Sequence, residues 1–225
     1  MTETSLPNPK ICIVFNSGSA GDFLINLLGQ STDTRINDSG SIDNIHNAEL
    51  FKRACEFFSK NNWDTAFFYK VGNVNIVNTH YYYPQLKELF PECEFYYIDD
   101  YEYVDITVDL YIKKRIYSES KTLLDWLHET NSFPQIKKIK DISDEHLRKI
   151  MINDWLKNLG MWKNFNLSRI GFDEILDKNK CRNLIKSIVK YDLNEDIFSD
   201  TYDRWYDKNK SIIEERLNTN YDKRI

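Results

Sequence analysis

Ile11 to Leu28 reads ICIVFNSGSAGDFLINLL: an apolar β-branched run, a turn of small residues, then an amphipathic segment. A strand over Lys10–Phe15 that breaks at Asn16-Ser17-Gly18-Ser19-Ala20-Gly21 and enters a helix over Asp22–Gln30 opens an α/β unit. The start of such a helix collects amides without intrahelical partners at the positive end of its dipole, which is the geometry of a phosphate cradle. Aligned to the nucleotide-binding pattern G-x-x-x-x-G-K-[ST], Asn16 takes the first Gly, Gly21 the second, Asp22 the Lys and Phe23 the hydroxyl residue. The backbone of a cradle is therefore expected from Asn16 to Gly21, without its usual cation or magnesium hydroxyl. Asp22 offers another occupant, because a carboxylate in a first helical turn can satisfy that helix end itself.

The pattern continues beyond this unit. A helix is expected over His46–Lys60, strands over Val74–Thr79 and Cys93–Ile98, and a short helix over Tyr83–Phe90 ended by Pro91. Strands alternating with helices predict parallel pairing through crossovers. Helical periodicity recurs over Val104–Tyr117, Lys121–Glu129 and Ser143–Leu159, followed by a strand over Asn166–Gly171, a turn at Phe172-Asp173-Glu174, and helices over Lys180–Lys190 and Asp200–Leu217. Ser31–Asn44 reads as a surface loop and Tyr221–Ile225 as a polar tail. The expected architecture is a single three-layer α/β/α domain over residues 1–225, with a mostly parallel sheet of four or five strands.

Composition narrows the class of protein. The 225 residues suffice for one substantial core, and 41% hydrophobic with 14% aromatic residues argues for a folded chain. A net charge of −5 supplies no general drive toward nucleic acid or an anionic membrane, and no partner of either kind is expected. Neither a leader pattern nor a run of about 18 apolar residues occurs, so a soluble cytoplasmic protein is expected. Cys12, Cys55, Cys93 and Cys181 form no C-x-x-C pair and read as free thiols. His46, His128 and His146 make no metal-ligand spacing, and no metal site is expected.

Thr79-His80 ends the second expected strand, at the sheet edge where loops converge on a ligand. A histidine there can act as a general base or simply close the strand with a hydrogen bond. The order of motifs resembles the sulfotransferase family, whose first strand leads into a P-K-S-G-T-T-W-L loop matched by Phe15-Asn16-Ser17-Gly18-Ser19-Ala20. The family's K-T-H strand end is matched by Asn78-Thr79-His80, its Phe-Pro by Phe90-Pro91, and its later turn by Phe172-Asp173-Glu174-Ile175-Leu176.

This resemblance implies a phosphate-binding-loop fold of the nucleoside triphosphate hydrolase kind. Phosphoadenosine phosphosulfate would sit over Asn16, Ser17, Gly18, Ser19, Ala20 and Gly21, and His80 would be the base that activates a small-molecule or glycan acceptor hydroxyl. The family's three donor-binding cations are replaced here by Asn16, Asn78 and Asp99, with Lys70, Lys113, Lys114 and Arg115 as possible substitutes. Two further readings follow from the same residues. One is a catalytically silent binding protein using the same crevice. The other is a magnesium-nucleotide protein in which Asp99-Asp100 holds the metal, although that pair can equally cap the next helix.

Overall fold

The computed structural model describes residues 10–16, 18–31, 76–79, 87, 90–116, 143–189 and 193–222. The expected 31–44 loop beyond its first residue, the 46–60 and 121–129 helices, and most of the 83–90 helix lie outside these residues. In chain order the elements are β1 (Ile11–Val14), α1 (Gly21–Ser31), β2 (Ile76–Thr79), β3 (Glu94–Asp99), a 3-10 turn (Tyr101–Tyr103) and α2 (Val104–Ile116). They continue with α3 (Asp144–Lys163), β4 (Ser168–Gly171), α4 (Phe172–Leu176), α5 (Lys178–Val189) and α6 (Glu195–Asp222).

Four strands form one parallel sheet in the order β2-β1-β3-β4. The fold is α/β, a parallel sheet flanked by helices. β1 is paired on both sides, with Val14 level with Thr79 of β2 and with Tyr97 of β3. All four of its residues are buried, as expected of a strand covered on both faces. Ile11, Ile13 and Phe15 join Leu24, Ile25 and Leu28 of α1, Ile170 and Phe172, and Phe198 and Ile213 of α6 in the main core. Each such side chain contributes about 1.5–3 kcal/mol by leaving water. A second cluster joins Val108 and Ile112 of α2 to Leu147, Met151 and Trp155 of α3.

Several boundaries differ from expectation for local reasons. β3 runs one residue further, to Asp99, because β4 continues the ladder with Asp99 opposite Gly171. The Phe172-Asp173-Glu174 turn is the start of the short helix α4, held by the Glu174 carboxylate accepting from Gly171 N at 2.7 Å. Asp177 then accepts from the amides of Asn179 and Lys180 at 2.9 Å each, so α5 begins at Lys178. α6 starts at Glu195, five residues early, because Asn194 accepts from Ile197 N through its side chain and from Phe198 N through its carbonyl.

Charged groups tie the helices together. Asp109 of α2 binds Arg148 of α3 through Oδ1 and Arg216 of α6 through Oδ2, both at 2.6 Å, and Arg148 also binds Asp105 at 2.9 Å. Among the described residues no helix is long and apolar enough to cross a membrane.

Candidate functional site

In an open α/β sheet a ligand crevice forms at the carboxyl ends of neighbouring strands whose connections leave in opposite directions. Here those strands are β1, which connects outward to β2, and β3, which connects outward to β4. Asn16 follows β1 and Asp100 follows β3, so the switch point lies between them.

The turn after β1 is shaped by backbone geometry that most residues avoid. Gly18 has φ +90° and Ala20 φ +62°, both in the left-handed region, where Ala20 carries strain on the order of 1 kcal/mol. A Cβ at Gly18 would collide with the Thr107 carbonyl and lie 2.9 Å from Tyr111 Cβ, so the turn is seated directly on α2. Ser19 is fully buried and donates to the Asn16 carbonyl twice, from its amide at 3.0 Å and its hydroxyl at 2.6 Å. Leu24 N to Ala20 O, at 2.8 Å, begins the ladder of α1. Gly21 lies against the Phe15 ring, and Asp22 is half-buried in the first turn of the helix.

Asn16 sits at the junction of three elements. Its amide nitrogen donates to Asp100 Oδ1 and to the Trp155 carbonyl, each at 3.4 Å, while its oxygen accepts from Asn158 Nδ2 at 3.2 Å. A carboxylate and a carbonyl only accept, which sets the orientation of the amide. Every polar atom of the Asn16 side chain is thus engaged within the protein, and 2% of the residue is exposed.

Asp100 is fully buried. Burial pushes its carboxyl up to about 6, against the opposing pull of Thr107 and Asn16, and the neighbouring Asp99 charge adds a smaller push in the same direction. The Thr107 hydroxyl donates to the Val104 carbonyl at 3.1 Å, and Asp100 Oδ2 has no hydrogen-bond partner among the described residues.

Asp99 has the opposite surroundings. Its Oδ2 binds Arg169 Nε at 2.8 Å and Lys163 Nζ at 3.6 Å, and its Oδ1 accepts from Tyr101 N at 3.3 Å. Asp100 is the N-cap residue of the 3-10 turn but makes no side-chain cap bond, and the Asp99 carboxylate binds the first amide instead. Lys163 also lies over the Tyr101 ring, 4.7 Å from its centre. Hydrogen bonding to Asp99 raises the Arg169 guanidinium, while burial, then the Asp99 charge, raises the Tyr97 hydroxyl.

Of the residues expected to form the site, Asn16, Gly18, Ser19, Ala20 and Gly21 stand in one turn at the switch point. Ser17 and His80 lie outside the described residues, as do Lys70, Cys55, His46 and His128. The side chains of Lys114 and Arg115 also lie outside them, and Lys113 donates to the Lys208 carbonyl of α6 at 3.2 Å. Phe23, at the position of a magnesium-binding hydroxyl, stacks on Trp205 of α6 with ring centres 4.1 Å apart, so it serves the core. Among the described residues no group of three or more potential metal-ligating side chains comes together.

Thr107, Trp155 and Asn158 were not anticipated. Asn158 had one legible signal, a polar residue on a helix face otherwise made of Met151, Trp155, Leu159 and Trp162, all buried. In comparisons with known proteins the chain matches no family model, no curated protein and no solved structure. Fold and site together define an α/β protein with a parallel sheet and a polar junction at its switch point.

Proposed function

We propose that this protein is a ligand-binding domain on a three-layer, sulfotransferase-like frame, taking a small neutral ligand such as a glycan at the carboxyl ends of β1 and β3. Sulfonyl transfer from phosphoadenosine phosphosulfate is not its activity in this reading. The observation that carries it is the pairing of Asn16 with the buried Asp100 carboxylate. Where a donor-binding loop needs a cation, this turn has an amide already occupied by three internal partners, backed by an acid. A carboxylate about 4 Å from a phosphate oxygen costs ~4 kcal/mol per charge pair at an effective dielectric near 20. Among the described residues, the two cations at the end of β3, Arg169 and Lys163, are bound to Asp99.

Calorimetric titration with 3′-phosphoadenosine 5′-phosphate tests this reading. No heat of binding is expected at millimolar nucleotide, and micromolar binding would overturn it in favour of an active sulfotransferase-like enzyme.

A second reading, sulfonyl transfer with His80 as base, draws support from one register. Thr79 ends β2 level with Val14, so the strand that leads to His80 finishes at the same sheet edge as the turn. That reading requires an acceptor-dependent transfer activity that His80→Ala abolishes while the circular dichroism spectrum stays unchanged. A magnesium-nucleotide role would require ATP binding that a chelator reverses.

A further inference from the structure

We infer that Tyr101 and Arg169 form the floor and edge of a sugar subsite at the carboxyl end of β3, where one neutral pyranose lies with its C–H face on the Tyr101 ring. This placement rests on the glycan reading of the crevice and names the part of it that would hold the sugar ring. Among the described residues the exposed large apolar side chains are Tyr101, Met161, Ile197 and Leu217. Tyr101, at 56%, is the most exposed of them and the only ring. It follows the end of β3, at the sheet edge where the crevice opens.

The ring is exposed but not loose. The Tyr101 amide donates to Asp99 Oδ1 at 3.3 Å, and Tyr103 N closes the 3-10 turn onto the Asp100 carbonyl at 2.9 Å. Lys163 Nζ lies over the ring, 4.7 Å from its centre, and 3.6 Å from Asp99 Oδ2. A ring held in this way loses little further freedom when a ligand covers it, which favours binding. With Lys163 over one face, the ring offers a single floor, which suits one face of a sugar better than a flat base stacked between two planes.

Arg169 supplies the directional part. Its Nε donates to Asp99 Oδ2 at 2.8 Å, and that is its hydrogen bond among the described residues, so both Nη groups keep N–H bonds for a ligand. Asp99 Oδ2 joins this guanidinium to the ammonium that lies over the ring. The same carboxylate sets the charge class of the ligand. An anion accepting from Nη would meet repulsion from Asp99 and from Asp173, both of which already act on the guanidinium. A hydroxyl oxygen accepts the same bonds without that repulsion. An apolar surface with a few fixed polar groups is the usual make-up of a small-molecule site. A pyranose presents the complement, with C–H bonds on its face and hydroxyl oxygens around its rim.

The test is saturation-transfer nuclear magnetic resonance on the full chain with the methyl glycosides of glucose, galactose, mannose and N-acetylglucosamine, and with methyl glucuronide as the acidic probe. At least one neutral glycoside should bind, with the strongest transfer to the C–H protons of one ring face. Tyr101→Ala should weaken that binding about tenfold and Tyr101→Phe should restore most of it, since the ring and not its hydroxyl is the floor. Arg169→Lys keeps a cation for Asp99 but loses the fork, and should weaken binding about fivefold. Ile197→Ala, which trims an exposed apolar side chain on α6, is the control and should bind as the parent does. If a neutral glycoside binds equally well to Tyr101→Ala and to Arg169→Lys, the subsite is overturned while the glycan reading stands. If no neutral glycoside binds the parent protein, both fall. Tighter binding of the glucuronide than of every neutral glycoside would overturn the neutral class, because the two cations would then be answering a carboxylate.

Discussion

Asp99 and Asp100 are neighbours at the end of one strand, and the fold treats their charges in opposite ways. Asp99 is 9% exposed and shares one oxygen between Arg169 and Lys163, whose side chains are 58% and 43% exposed. Asp100 is fully buried and, among the described residues, meets the Asn16 amide of the turn and the Thr107 hydroxyl of α2. Successive side chains leave a strand on opposite faces, so one step along the chain moves a carboxylate from a cationic rim into a neutral interior. Away from cations, burial pushes Asp100 toward its neutral form.

The harshest way to break the contrast is to open the Asp100 side. Gly18→Ala combines an unfavourable φ of +90° with a collision against the Thr107 carbonyl, and should cost about 3 kcal/mol or more. Urea denaturation measures that loss. If some folded protein remains, water reaching Asp100 should return its titration toward the ordinary carboxyl range. Gly160→Ala is the matching control, since a Cβ there meets nothing within 4 Å in the body of α3 and should stabilise by about 0.5–1 kcal/mol.

Removing the charges one at a time should give effects of opposite sign. Asp100 holds its proton more tightly folded than unfolded, so its contribution to stability is complete below about pH 4 and disappears as pH rises through about 6. Asp100→Asn should therefore stabilise the protein at pH 8 by on the order of 2–3 kcal/mol and change little at pH 4. Asp99→Asn should destabilise by about 1 kcal/mol at pH 8, since its partners are largely exposed. Denaturation curves for both variants at the two pH values decide the matter, and equal signs at pH 8 would dissolve the contrast.

How much of this was visible in the sequence depended on the range of each interaction. The strand, turn and helix at Ile11–Leu28 were legible because apolar periodicity and small residues act over a few positions, and the parallel pairing followed from the alternation of elements. The Asp99-Asp100 pair was legible as a strand end, but its division of labour was not. Asp99 meets Arg169 seventy residues on, and Asn16 meets Asn158 at a separation of 142 residues. No local pattern records either meeting. Helix ends were misjudged where a single side chain decided them, as Asn194 does for α6. Phe23, read against a nucleotide-loop pattern as a lost hydroxyl, is better understood as half of a stacked pair with Trp205.

The smallest effect sharpens the Asp99 side alone. Arg169 makes the short 2.8 Å contact and Lys163 the longer 3.6 Å one, so a double-mutant cycle on Asp99 and Arg169 should yield the larger coupling, about 0.5–1 kcal/mol at low ionic strength. Because Arg169 is more than half exposed, salt should erode that coupling, and at 1 M, where screening acts within about 3 Å, little of it should remain. The same salt change should leave the gain from Asp100→Asn nearly intact, since the cost it relieves comes from burial and not from a pair reached by ions. Equal salt sensitivity at the two positions would mean that water and ions reach Asp100 as easily as Asp99, and the distinction between rim and interior at this strand end would fail.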